Sequence, residues 1–188
     1  MSLDAPQSHA LGPDLRALRR ARAMTLEDVA EALNKSTGWL SQVERGISTP
    51  TLPDLRALAA HYGVALSLLT AADGPAREQG RITRAGQRRA MGSAKSGLTE
   101  ELLSPDLTDD FEMIHSVFAP GAKLTEPKSR PTQEVAYLIS GALTVWIDGE
   151  RFDIAPGDTF RIRGEAYAWE NPGPEPAVVI WVIAPPVY

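Results

Sequence analysis

Thr37, Gly38, Ser41 and Gln42 fall within one stretch of helical periodicity, between the apolar positions Leu40 and Val43. These are small or hydrogen-bonding side chains. Such a face offers little bulk and several donors and acceptors, as reading base edges in a DNA major groove requires. Other chemistries are poorly supplied. The chain has no cysteine, so it has no thiolate nucleophile, disulfide or cysteine-ligated zinc. Its three histidines, His9, His61 and His115, are far apart in sequence.

Two short helices must position the groove-facing residues. Thr25 can cap the first, with Asp28 three residues on to close a capping box. Leu26, Val29, Ala30 and Leu33 make its apolar stripe. Asn34-Lys35 is the turn, Ser36 can cap the second helix, and Gly46 stops it. A plain helix hairpin in a bundle has the same periodicity. The flanks add a preceding helix carrying Leu11, Leu15 and Leu18, a following one opened by Thr51-Leu52-Pro53-Asp54, and a short fifth element over Val64 to Leu69.

From Leu11 to Leu69, and above all in the run LSQVERGISTPTLPDL, the chain resembles the XRE family, the Cro and phage-repressor type of helix-turn-helix. The resemblance implies a five-helix, lambda-repressor-like DNA-binding domain over 11–70. It also implies that the helix Ser36–Arg45 reads double-stranded DNA. By position, Ser36 and Trp39 would lie on or beside phosphates, while Thr37, Gly38 and Gln42 would face base edges. Gln42 is the best reader, since its amide can engage adenine through two hydrogen bonds. Gly38 costs roughly 1 kcal/mol of helix propensity relative to alanine, which close approach to DNA would offset or which the helix tolerates. Glu44 and Arg45 are expected to hold structure through an internal ion pair. Arg16, Arg19, Arg20 and Arg22, with Lys35, are candidates for phosphate contacts.

A length of 188 residues with 43% apolar content supports one or two domains with real cores. No apolar run is long enough to span a bilayer, and no signal peptide opens the chain, so a cytoplasmic location is expected. The net charge of -5 is unhelpful to DNA binding. It is unevenly spread: residues 1–70 hold seven basic and seven acidic side chains, residues 101–188 six and fourteen. A near-neutral reading head predicts weak non-specific binding, hence a homodimer on an inverted-repeat operator. Residues 1–10 read as a disordered tail. Residues 71–97, rich in Gly, Ala, Arg and Ser, read as a linker and arm whose arginines are mostly solvated.

From Leu98 the pattern changes to short strands. Candidates are Leu98–Leu103, Glu112–Phe118, Glu134–Ile139, Leu143–Ile147, Glu150–Ile154, Thr159–Ile162, Tyr167–Glu170 and Val178–Ile183. Turn pairs such as Pro120-Gly121, Asp148-Gly149 and Pro156-Gly157 separate them, which argues for an all-β sandwich or barrel. The overall fold class is thus α + β in two domains, the second spanning 98–188.

The frame Gly121–Glu134–Gly141, followed by Gly149, Pro156-Gly157-Asp158 and Asn171, resembles the cupin family of jelly-roll barrels. Cupins often bind a metal through three histidines and a glutamate. Here those histidine positions fall on Pro127, Ser129 and Tyr167, and only Glu134 remains. The resemblance therefore implies a barrel that has lost its metal, with no cofactor and no catalysis. Its motif position points Glu134 inward, and Tyr167 and Ser129 then face the same cavity. Trp169 shares Tyr167's face by strand alternation. His115, Trp181 and Trp146 are further lining candidates. Aromatic walls with one carboxylate suit a cationic or amine-bearing effector. Alternatively, the tryptophans pack the core and Glu134 pairs with an arginine such as Arg130. Two functions remain open. One is a transcriptional regulator whose barrel senses a metabolite. The other is a mononuclear iron oxidase of the same domain order, which the missing histidines disfavour. A barrel that serves only to dimerise the protein is a third, weaker possibility.

Overall fold

The computed structural model describes residues 11–70, 75–91 and 97–187. The expected tail at 1–10 and parts of the expected linker lie outside these. The chain falls into two compact units. The helical unit runs to Met91 and also takes in Ser104–Asp109, while the β unit takes in Gly92–Leu103 and Asp110–Val187.

Among the described residues the helical unit has five α-helices: α1 Leu11–Ala21, α2 Leu26–Ala32, α3 Thr37–Glu44, α4 Leu52–Tyr62 and α5 Leu66–Leu69. Local chemistry sets their ends. Thr25 Oγ1 accepts from the Asp28 N–H (3.1 Å) while Asp28 Oδ2 accepts from the Thr25 N–H (2.7 Å), completing the expected capping box. Thr51 and Asp54 form a second box at the start of α4. The Thr51 hydroxyl and then Lys35 hold the Asp54 carboxyl down at about 2. Ser36 caps α3 by accepting from the Trp39 N–H at 3.1 Å. After α3, Gly46 takes φ +69°, a left-handed conformation that glycine adopts without steric cost.

The core joins Leu15 and Leu18 of α1, Val29 of α2, Leu40 and Val43 of α3, and Leu58 of α4, all buried. Close approach of α1 to the end of α3 requires Gly12. A Cβ there would stand 2.8 Å from the carbonyl oxygens of both Val43 and Glu44. Arg19 of α1 completes the junction with a two-pronged contact to Glu44 (Nε–Oε1 2.7 Å, Nη2–Oε2 2.9 Å). The Glu44 ion pair is thus with Arg19. The neighbouring Arg45 instead donates to the Ser41 carbonyl (3.1 Å).

Much of the stretch expected to be linker belongs to this unit. The two-residue strand β1, Arg89–Ala90, carries a buried arginine. Arg89 Nη1 donates to Asp14 Oδ2 at 2.5 Å and to the Leu68 carbonyl at 3.1 Å. The other Asp14 oxygen accepts from the Leu107 N–H (2.9 Å). Arg84 pairs twice with Glu78 (2.7 and 3.0 Å). Buried Arg89 holds structure, contrary to the solvated linker expected from composition, whereas Arg84 pairs while remaining 60% exposed.

The β unit contains β2 Leu98–Leu102, β3 Glu112–Phe118, β4 Lys123–Lys128, β5 Gln133–Ser140, β6 Leu143–Ile147, β7 Glu150–Ile154, β8 Thr159–Ile162, β9 Tyr167–Glu170 and β10 Ala177–Ala184. One sheet runs β2-β3-β10-β5-β8 and the other β4-β9-β6-β7, with the pairings antiparallel. Strict alternation on β3 and β5 sends Ile114, Ser116, Phe118, Glu134, Ala136 and Leu138 to the buried face. Asn171 ties the turns at one end, donating through Nδ2 to the carbonyls of Phe118 (2.9 Å) and Glu175 (2.9 Å).

Candidate functional site

The exposed face of α3 presents Thr37, Gly38 and Gln42, with Ser36 exposed ahead of it and Trp39 and Ser41 half-buried at its margins. Leu40 and Val43 point inward, so packing fixes which face is displayed. Gln42 is oriented: its Oε1 accepts from the Ser48 hydroxyl at 2.9 Å, which leaves its amide nitrogen free to donate. Ser48 is a positioning residue that the periodicity of α3 could not reveal, because it lies in the following loop. Beside it Ile47 is 62% exposed, an apolar side chain suited to a thymine methyl or a sugar.

The basic cluster is reduced by internal pairing. Arg19 is committed to Glu44, which raises the guanidinium's own pKa. Lys35 reaches Asp54 at 2.9 Å and lies over the Trp39 ring, 4.9 Å from its centroid. That contact explains the large ring at position 39: it is a platform for Lys35 at the edge of the small core. Arg22 stands 5.7 Å from the Tyr62 ring. Arg16 and Arg20 remain exposed on α1.

The β unit encloses a cavity of about 240 Å³. Glu134, Tyr167, Trp169 and Trp181 line it, as their sequence positions predict. Ser129 and His115 do not. The Ser129 hydroxyl is exposed and donates to the Gly164 carbonyl at 2.8 Å. His115 alternates with the inward residues of β3 and so faces away from the interior, where its Nδ1 lies 3.9 Å from Glu101. Trp146 lies instead in a second groove with Pro127 and Ala168, which shares Leu124 and Trp169 with the cavity.

Strand β4 accounts for the change at Ser129. Leu124 pairs with Trp169 and Lys128 with Tyr167, with a bulge between them. Lys128 lines the cavity and Pro127 the other groove, while Leu124 borders both. Lys128 and Arg130 therefore contribute to the cavity where Ser129 was expected. Glu100 of β2 adds a second carboxylate, held by the Ser116 hydroxyl at 3.2 Å. Glu134 accepts from the Thr132 hydroxyl at 2.7 Å. Arg130 makes no ion pair with Glu134 within 4.0 Å among the described residues.

Behind this lining, Glu112 is fully buried. It shares a row with Ile183 and Glu134 across three neighbouring strands. One of its oxygens accepts from the Val187 N–H (3.1 Å), and the other has no hydrogen-bond partner. Burial pushes its carboxyl up to about 7, and burial also raises the Tyr167 phenol. The cavity's donor set does not fit the divalent metal that the cupin resemblance would bring. A lysine, an arginine and a tyrosine share the cavity with the carboxylates of Glu100 and Glu134, and two of the three are cations that would repel the metal. Among the described residues no three His, Asp or Glu side chains are grouped so as to hold a metal ion. No described helix is long and apolar enough to cross a membrane.

Comparison with known proteins matches both units. A helix-turn-helix domain model matches residues 10–72, and a cupin domain model matches residues 114–183. The HTH-type transcriptional regulator DdrOP3 of Deinococcus deserti is 44% identical over 50 residues, covering 27% of this chain and 39% of that protein. The transcriptional regulator ClgR of Mycobacterium tuberculosis is 32% identical over 99 residues, covering 50% of this chain and 87% of that one. The structure of KdgF from a Halomonas species is 21% identical, covers 57% of this chain and 96% of its own, and superposes with a TM-score of 0.50, a likeness of fold alone. The chain thus spans well under two thirds of DdrOP3. With the capped α2–α3 pair, its displayed face and the jelly-roll sheets in place, the chain belongs to the XRE-type helix-turn-helix transcriptional regulators and carries a cupin as its second domain.

Proposed function

We propose that the protein is a homodimeric transcriptional regulator. It binds an inverted-repeat operator through α3, and its barrel cavity takes a small-molecule effector that modulates operator binding. The observation that carries the DNA reading is the displayed face of α3, with Gln42 already oriented by Ser48. Preorganisation lowers the entropy cost of a base contact. The barrel is read as binding rather than catalytic, because its donors suit a charged organic molecule better than a metal. An effector acts only if it prefers one arrangement of the reading heads over another.

Gln42→Ala is expected to lose roughly 1–3 kcal/mol of discrimination at one base pair in each half-site, the half-sites lying about one helical turn apart. Selection of bound sequences from a random pool measures this. An unchanged base preference in the variant would show that α3 is not the reading helix.

The homodimer reading is supported by the outer face of the larger sheet. Val135, Tyr137 and Ile139 of β5 are each nearly half exposed, and Val182 of β10 lies directly beside Val135. A contiguous apolar strip of this kind marks an interaction surface. A second copy is the occupant that a two-fold operator calls for. Tyr137→Glu, which places a charge in mid-strip, is expected to weaken self-association at least tenfold in sedimentation equilibrium. A dimer of unchanged strength would remove this face from the reading.

A further inference from the structure

The cavity holds charges of both signs that form no ion pair with one another among the described residues. Its carboxylates, Glu100 on β2 and Glu134 on β5, belong to one sheet. Lys128 belongs to β4 of the other sheet, and Arg130 follows it in the loop to β5. Among the described residues neither cation makes an ion pair within 4.0 Å. The carboxylates are held by hydroxyls instead, Glu134 by Thr132 and Glu100 by Ser116. Glu134 is buried, Glu100 and Arg130 are half-buried and Lys128 is exposed, and a buried carboxylate without a cation is costly unless a bound partner satisfies it. The rings of Trp169 and Trp181, both buried, line the same cavity.

We propose that the cavity is a site for a small zwitterion, its ammonium group held by Glu134 and Glu100 and its carboxylate by Lys128 and Arg130, with the carbon body against Trp169 and Trp181. This rests on the reading of the barrel as an effector site and narrows the effector from an amine to an amino-acid-like molecule. A cation alone would leave Lys128 and Arg130 unmatched, and an anion alone would leave the glutamates so. Arginine and carboxylate can meet through two parallel hydrogen bonds, which adds orientation to charge. The volume of about 240 Å³ sits below the roughly 300–1,000 Å³ of pockets for drug-sized ligands, consistent with a ligand of amino-acid size. Glu112, the third acid of the interior, is held up at about 7 by burial, so it only partly adds to the negative side.

Two matched trios test this on the full chain: leucine, isopentylamine and 4-methylpentanoate, and phenylalanine, phenethylamine and 3-phenylpropanoate. Titration calorimetry gives the affinity, and tryptophan fluorescence reports the cavity through Trp169 and Trp181. At least one amino acid is expected to bind tenfold or more tightly than both its amine and its acid. Arg130→Gln should bring its affinity down to that of the amine, and Glu134→Gln to that of the acid. An amine that matches its amino acid overturns the zwitterion proposal while leaving the cationic effector reading in place. An acid that matches overturns both the zwitterion proposal and the cationic reading. If no member of either trio binds, the zwitterion proposal is overturned and the effector reading loses its chemical basis.

Discussion

Arg89→Met is expected to destabilise the helical unit by about 3–5 kcal/mol, the usual cost of removing one partner from a buried ion pair. Arg89 and Asp14 are almost wholly buried, and Arg89 also donates to the Leu68 carbonyl. Without the guanidinium, Asp14 keeps only the Leu107 N–H. Burial already raises the Asp14 carboxyl against the pull of Arg89, so the variant should recover part of its lost stability in acid as that carboxyl takes up a proton. Asp14→Asn in the same chain should restore much of the loss at neutral pH, since an amide oxygen can still accept from Leu107 while no charge remains buried. Urea unfolding followed by far-ultraviolet circular dichroism measures all three proteins. A loss below about 1 kcal/mol for Arg89→Met would mean that this arginine is solvated after all.

The β unit should be less stable at pH 8 than at pH 5, and Glu112 should be the main reason. Desolvation lifts its folded pKa from 4.5 to about 7, against the Val187 N–H and Arg130, while Glu100 and Glu134 add to the rise. A carboxyl raised in the folded state favours folding when protonated. Its contribution is therefore fully present below about 4.5 and is lost as pH rises through about 7. At 1.36 kcal/mol per pKa unit, the span corresponds to roughly 3 kcal/mol. Glu112→Gln keeps the shape and removes the titration, so its stability should be nearly level between the two pH values. Unfolding followed by tryptophan fluorescence suits this, because three of the four tryptophans, Trp146, Trp169 and Trp181, belong to the β unit. A Gln variant with the same pH slope as the parent would assign the effect to another group.

Local signals in the sequence read well where they act locally. The capping pairs Thr25–Asp28 and Thr51–Asp54 and the stop at Gly46 involve residues three or so apart, so their types announce the contact. Most strands are legible for a similar reason: alternation on β3 and β5 is written into the chain residue by residue. β4 is not, because Lys123–Lys128 is largely exposed, charged and contains Pro127. Its bulge then decides which side chains enter the cavity, so Lys128 and Arg130 were hidden and Ser129 misplaced. His115 was open to either face until the register of β3 was known. The Arg89–Asp14 pair spans 75 residues, a distance over which composition carries no signal.

The placement of Ser104–Asp109 in the helical unit, with β2 before it and β3 after it in the β unit, bears on how the protein can be taken apart. A pair of beads on a string comes apart at one cut. Here the backbone leaves the helical unit after Met91, returns for six residues, and leaves again at Asp110. No single scission yields both units whole. A fragment ending at residue 91 would keep every reading-head helix yet lack the Leu107 amide that answers Asp14. A fragment beginning at residue 98 would carry a loop cut off from the core in which it is buried. The covalent order of the chain thus interleaves the two units in sequence, and a dissected half is a different molecule from the half within the whole.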